Sequence, residues 1–264
     1  MEHVQEIANV VRRNYGSFDG FLVTHGTDTL SYSAPLLSFM IQGGNKPVVI
    51  TASQKAPYEE KSDAPQNLFD ALTAVECGRP GVYVVFGGKV IQGSRISKVS
   101  STELGAFTAI NSQKKSLDDF LKNGFINKGE SFGKPISIQT DLNSNVDIMR
   151  ISLTTSPKDI DYYFSQRKLD GLVIMPFGLG GATEEVYDRI NYWIKEGKTV
   201  VLRTQCLSGI TDPTEYSVGW PAIKGGAISA VDMTDEAAYS KLMWVLSIRE
   251  HQKEEQIKEQ MHHN

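Results

Sequence analysis

The sequence predicts an α/β protein: a doubly wound, mostly parallel sheet domain followed by a second, smaller α/β domain. Three observations predict it. Continuous apolar runs at residues 20–23, 47–51 and 82–86 alternate with stretches of helical spacing, the order in which a parallel sheet and its crossover helices are laid down. These runs are unbroken instead of alternating polar with apolar, as expected of strands covered on both faces. The same strand–helix alternation restarts after residue 146. The expected organisation is an N-terminal domain over residues 1–123, a connector over 124–145 and a C-terminal domain with a helical tail over 146–264.

Taken in order, residues 3–14 carry Val4, Ile7, Ala8 and Val11 on one helical face. Gly16 ends that helix, and Phe18-Asp19-Gly20 leads into the first strand. Helices are expected at about 33–42 and 66–77, the second closed by Gly78 and Pro80. After residue 86 the pattern changes. Gly87-Gly88 and the polar run 93–98 read as a hairpin or excursion, and a short helix follows at about 116–122. Residues 124–145 are rich in Gly, Asn, Ser and Lys with no clear period, which reads as a connector.

In the second half, strands are expected at 146–153, 171–175 and 199–202. Helices are expected at 157–166 and at 183–196, with Thr183 as N-cap and Gly197 just past the end. The last long helix starts at Thr234, carries Asp235 and Glu236 in its first turn and runs to about Ile248. Residues 250–264 read as a charged helical or frayed tail, and His262 with His263 is too little for a metal site.

Bulk properties narrow the function classes. The 264 residues are 40% hydrophobic and 22% charged, with net charge -4, the composition of a globular protein. Basic residues are interspersed with acids, so neither nucleic acid nor an anionic membrane is an expected partner. No run of about 18 apolar residues occurs. Cys77 and Cys206 lie far apart, and with no basic and apolar leader at the amino terminus the expected compartment is the cytoplasm with reduced thiols.

The stretch with the most chemistry is Thr24-His25-Gly26-Thr27-Asp28-Thr29, placed between an apolar run and a helix. Open α/β sheets bind ligands at the carboxyl ends of their strands. Two hydroxyls flanking one carboxylate suit a polar substrate and a proton transfer. An ordinary strand-to-helix turn capped by Thr or Asp reads the same way. Two further polar segments, Thr51-Ala52-Ser53-Gln54 and Ser97-Lys98, are expected on the same sheet edge. A lysine near threonine hydroxyls with an aspartate adjacent makes an activated nucleophile, whereas Lys98 alone reads as a surface lysine.

These segments resemble the bacterial-type L-asparaginases, in particular the cytoplasmic type I-like group and its archaeal relatives. The resemblance runs through residues 19–30, including His25-Gly26-Thr27-Asp28-Thr29, then 46–54 and 61–68. It continues in Gly93-Ser94-Arg95 through Lys98, in Arg203-Thr204-Gln205-Cys206, and from Asp232-Met233-Thr234 to Trp244. It implies a two-domain amidohydrolase of asparagine catabolism that converts L-asparagine to L-aspartate and ammonia without metal or organic cofactor. By that likeness Thr27 and Lys98 form a proton-relay pair and Asp28 holds the substrate's α-ammonium. Gly26 and Ser53 line the pocket. Family members are dimers or dimers of dimers, so a homodimer or homotetramer is implied, with Tyr216 as a candidate contribution to a neighbour's site. Cys206 falls in a segment that touches an effector site in some relatives; taken by itself it is expected to be a buried small apolar side chain.

One departure matters. The family pattern opens with a strand ending in Thr-Gly-Gly-Thr-Ile, whose first threonine is the usual nucleophile, and no such segment occurs in these residues. The expectation is therefore an amino-terminally shortened asparaginase, lacking the first strand, with little or no amidase activity by itself. Two alternatives stand beside it. One is the D-type component of a tRNA-dependent glutamyl amidotransferase; the other is a non-catalytic asparagine-binding protein.

Overall fold

The computed structural model describes residues 1–125, 134–215, 220–248 and 254–262. The chain divides into two compact units, Met1–Thr140 and Asp141–Asn264.

In the first unit α1 (Glu2–Asn14) buries Val4, Ala8 and Val11. There follow β1 (Phe21–Thr24), α2 (Thr27–Met40), β2 (Ile41–Gln42), β3 (Pro47–Thr51), α3 (Ala64–Glu76), β4 (Gly81–Phe86) and β5 (Lys89–Gln92). The chain then forms β6 (Ile96–Lys98), β7 (Phe107–Ala109), β8 (Lys115–Ser116), α4 (Leu117–Asn123) and β9 (Ser137–Ile138). The main sheet has the order β1-β3-β4-β5-β8. Its first three strands are parallel, and β5 and β8 run antiparallel to their neighbours. Every residue of β3 is buried. Val49, Val85, Val90, Tyr83, Ala71, Ala74 and Phe120 form one core cluster, each large member contributing about 1.5–3 kcal/mol on burial.

Four expectations need correction here. The helix expected from residue 33 begins at Thr27, and Pro35 lies inside it. The strand at 20–23 is not covered on both faces: β1 is the outer strand of its sheet and only partly buried. Within the expected connector, β9 pairs antiparallel with β2. Lys98 does not end a parallel strand; β6 and β7 form a separate antiparallel ribbon.

That ribbon lies close to α2 because of Gly93. A Cβ there would stand 2.4 Å from Ser38 Oγ and 3.1 Å from the Ala34 carbonyl oxygen, both on α2. Only glycine lets the turn Gly93–Arg95 pass so near. From that point β6 leads to Lys98, which meets the first turn of α2.

The second unit is built from β10 (Val146–Arg150), α5 (Pro157–Asp161), β11 (Gly171–Met175), α6 (Glu184–Lys195) and β12 (Thr199–Leu202). Then come α7 (Trp220–Gly225), β13 (Ile228–Ser229), α8 (Asp235–Ser247) and α9 (Glu254–His262). Its four strands are all parallel in the order β10-β11-β12-β13, over a core that includes Leu172, Ile174, Phe164, Tyr187 and Ile190. The strand expected to reach residue 153 stops at Arg150, where the Thr155 N–H turns back to the Ser152 carbonyl at 3.2 Å. A π turn, Tyr162–Gln166, extends α5. Thr234 caps α8 by accepting from the Ala237 N–H at 2.9 Å. The tail is docked: Ile257 and Met261 of α9 are buried, and the fully buried Lys241 donates to the Met261 carbonyl at 3.0 Å.

Candidate active site

The carboxyl ends of β1 and β3 are level, since Thr24 pairs with Thr51 in parallel register. Beyond that register the His25 N–H still donates to the Thr51 carbonyl at 2.9 Å. Gly26 follows as the N-cap of α2, with φ -81° and ψ 148°, and Thr27, Asp28 and Thr29 form the first turn of the helix. A helix start leaves backbone N–H groups without intrahelical partners and favours negative charge nearby.

Lys98 arrives from 71 positions away in sequence. Its Nζ donates to Thr27 Oγ1 at 3.0 Å and to Asp28 Oδ1 at 2.7 Å. The lysine side chain is 17% exposed while that of Asp28 is 95% exposed, so this is no free surface lysine. The hydrogen bond from Lys98, with its charge second, holds the Asp28 carboxyl below the usual carboxylate range against a small opposing effect of burial. The carboxylate faces outward, where a ligand cation can reach it, and one Lys98 proton remains uncommitted.

Ser53 lies two residues beyond Thr51, at the same edge as Gly26, and is half-buried. Gln54 beside it donates from Nε2 to the Ser101 and Glu103 carbonyls at 3.4 and 3.3 Å. The Ser53 turn is thereby tied to the loop that follows Lys98. The residues singled out in the sequence thus occupy one edge: Thr27, Asp28 and Lys98 in direct contact, Gly26 adjoining them, and Ser53 in the neighbouring turn.

Sequence reasoning missed the groups that hold this turn, Asp63 and Asn67. The available signal was Asn67 itself, a polar residue on the buried face of α3. Cys206 needs correction: it is exposed, not buried, and both cysteines are free thiols. It follows Arg203 and Thr204 in a loop whose backbone is occupied, Cys206 N–H donating to Thr204 Oγ1 at 3.1 Å and its carbonyl accepting from Arg203, and the thiol takes no place in the core. Tyr216 lies outside the described residues. Among the described residues no group of three or more His, Cys, Asp and Glu side chains is placed to hold a metal, and no helix is long and apolar enough to cross a membrane.

Comparison with known proteins assigns both units. Residues 1–119 match the family model "Asparaginase, N-terminal", and residues 145–261 match "Glutaminase/Asparaginase C-terminal domain". The chain is 39% identical over 246 residues to an L-asparaginase of Thermococcus kodakarensis, covering 91% of this chain and 73% of that protein. It is 32% identical to an L-asparaginase of Dirofilaria immitis, covering 91% of this chain and 42% of that one. It is 29% identical to the D-type component of the glutamyl-tRNA(Gln) amidotransferase of Pyrococcus abyssi, covering 93% and 58%. The chain thus spans about half the length of these last two relatives. Among solved structures, the thermostable L-asparaginase of Thermococcus kodakarensis superposes with TM-score 0.89 at 36% identity, over 100% of this chain and 80% of that one. L-asparaginase I of Vibrio cholerae gives 0.84 at 27% identity, over 99% and 79%.

Proposed function

The chain belongs to the asparaginase family of amidohydrolases, and on that premise we propose that it hydrolyses the side-chain amide of L-asparagine to L-aspartate and ammonia at the Thr27–Asp28–Lys98 cluster. One observation carries the reading: a shielded lysine bonded at once to a threonine hydroxyl and to an outward-facing carboxylate. An amide carbon is a poor electrophile, so its hydrolysis needs an activated hydroxyl or water, a proton carrier and donors for the developing oxyanion.

The roles follow from that need. The α-ammonium of the substrate pairs with Asp28, taking over the carboxylate that Lys98 otherwise contacts. Lys98, in its neutral form, draws a proton through Thr27 from an attacking water, whose oxygen adds to the side-chain amide carbon. The carbonyl electron pair moves onto oxygen, opposite Ser53 and the free N–H groups around Gly26 at the start of α2. Collapse returns the pair, breaks the C–N bond and releases ammonia, its nitrogen taking the proton back from Lys98.

Thr27 is the hydroxyl that Lys98 contacts. A further threonine in a Thr-Gly-Gly-Thr-Ile segment belongs to the family pattern and does not occur in the 264 residues. We infer that these residues bind L-asparagine at that cluster. The setting we infer is a cytoplasmic homodimer or homotetramer, the free thiols suiting a reducing compartment. The carboxyl edge of the second sheet supports self-association, because its loops expose Leu153, Phe177, Leu207, Ile210 and Val231.

Ammonia release from L-asparagine by the purified chain tests the reading. Lys98→Met is expected to lower the rate by roughly 10²–10⁴-fold, the usual worth of a positioned proton carrier. A Lys98→Met protein as fast as the wild type contradicts the relay. The similarity to the amidotransferase component favours a second reading, in which the ammonia passes to a partner protein. Co-purification of another amidotransferase component with the chain would separate the two.

A further inference from the structure

We propose that Asp63 and Asn67 are positioning residues that clamp the turn carrying Ser53, leaving the polar groups of Ser53 free to receive the substrate; this rests on the asparaginase reading of the site. The Asp63 carboxylate accepts from the Gln54 N–H at 3.1 and 3.0 Å, from the Lys55 N–H at 3.0 Å and from Asn67 Nδ2 at 2.9 Å. Asn67, only 2% exposed, spends its whole side chain on the same task. Its Nδ2 also donates to the Ala52 carbonyl at 2.9 Å, and its Oδ1 accepts from the Gly87 N–H at 2.9 Å. Thr51 Oγ1 adds a bond to the Val85 carbonyl at 2.8 Å.

The residues on either side of Ser53 are therefore pinned at Ala52, Gln54 and Lys55, and the end of β3 is locked to the end of β4. Ser53 differs from all of them. It is half-buried, yet its hydroxyl, N–H and carbonyl make no hydrogen bond among the described residues. Buried polar groups are nearly always paired, and Ser53 keeps three groups unengaged among the described residues while its neighbours are held rigid. It lies just beyond the level ends of β1 and β3, and that is what a preformed contact for a polar ligand requires. Rigid support of such a contact is worth much, since small misplacements of a reacting group cost large factors in rate. Gln54 carries the same constraint to the Lys98 side through Ser101 and Glu103. Loosening the clamp should therefore disturb both Ser53 and the approach of Lys98.

The test compares wild type with Asp63→Asn, which keeps the size of the side chain but offers one acceptor oxygen where the carboxylate offers two. Asp63→Ser serves if that variant does not fold. Two readouts are taken on the full chain: hydrogen exchange of a peptide covering residues 52–56, and L-asparagine affinity with ammonia release. The expected result is at least tenfold faster exchange at Gln54 and Lys55 with global unfolding little changed. With it should come at least tenfold weaker L-asparagine binding and lower kcat, while Leu72→Ala on the exposed face of α3 changes neither. Unchanged exchange overturns the clamp, and faster exchange with unchanged affinity and kcat overturns its role in positioning. If the wild type binds no L-asparagine at all, the asparaginase reading falls and the substrate role of Ser53 falls with it. The clamp itself is then judged on exchange alone.

Discussion

The proposed chemistry turns on which charges Lys98 meets. Its contact holds the Asp28 carboxyl below the ordinary value of about 3.9. A carboxyl depressed in the folded state adds stability above its unfolded pKa and loses it as pH falls through the folded value. Because Asp28 is open to water, that contribution is slight, and the shift is better read directly. An NMR titration should find Asp28 below the usual range in the wild type and back within it in Lys98→Met; an unshifted wild-type carboxyl would remove the pair from the account. Asp235 behaves in the opposite sense. Burial raises its pKa, with Arg203 and Arg150 pulling the other way, although its side chain is still 39% exposed. A raised acid costs stability as pH climbs from its unfolded value through its folded one. Asp235→Asn is therefore expected to flatten the pH dependence of Tm on the alkaline side of the ordinary carboxylate range, with an unaltered profile as the contrary result. At this scale the sequence was legible where residues are neighbours, as in His25-Gly26-Thr27-Asp28-Thr29. It was opaque where a role depends on partners far along the chain. Asp63 and Asn67 act through backbone groups that no spacing rule points to, and the exposure of Cys206 runs against the general habit of free cysteine.

Among the elements, α2 and the β6–β7 ribbon decide whether Lys98 reaches Thr27. Gly93 is the pivot. Gly93→Ala would put a methyl group 2.4 Å from Ser38 Oγ and 3.0 Å from Val82 Cγ1, so the turn or the helix must move. The expected cost is about 1–3 kcal/mol of stability, together with slower ammonia release as Lys98 is displaced. Wild-type thermal unfolding and activity in that variant would show the close approach to be dispensable. At α8 the cap is the element's own device: Thr234→Ala removes the bond to the Ala237 N–H and should cost about 1–2 kcal/mol, read from denaturant unfolding. The strand–helix alternation was visible in the sequence because buried parallel strands write themselves as unbroken apolar runs, as at β3, β11 and β12. The true start of α2 was not, since Thr27-Asp28-Thr29 read as part of the polar turn. The antiparallel delivery of Lys98 was hidden too, because a three-residue strand leaves no periodic trace.

For the whole molecule, two α/β units with separate cores, 1–140 with a mixed sheet and 141–264 with a parallel one, carry two asparaginase-family matches. Since each unit has its own buried cluster, residues 141–264 expressed alone are expected to unfold cooperatively; a broad, non-cooperative melt would show that they need residues 1–140. In the proposed function L-asparagine is held at the edge where α2 begins, with Asp28 as the anchor for its ammonium and Lys98 beside it. Isothermal calorimetry of L-asparagine with the purified chain and with Asp28→Asn tests this most directly, because it reads binding whether turnover is slow or fast. Saturable binding of one L-asparagine per chain is expected, weakened by roughly 10–150-fold in Asp28→Asn, the usual worth of a charge-assisted hydrogen bond. Equal affinity in the two proteins, or no binding to either, would contradict it.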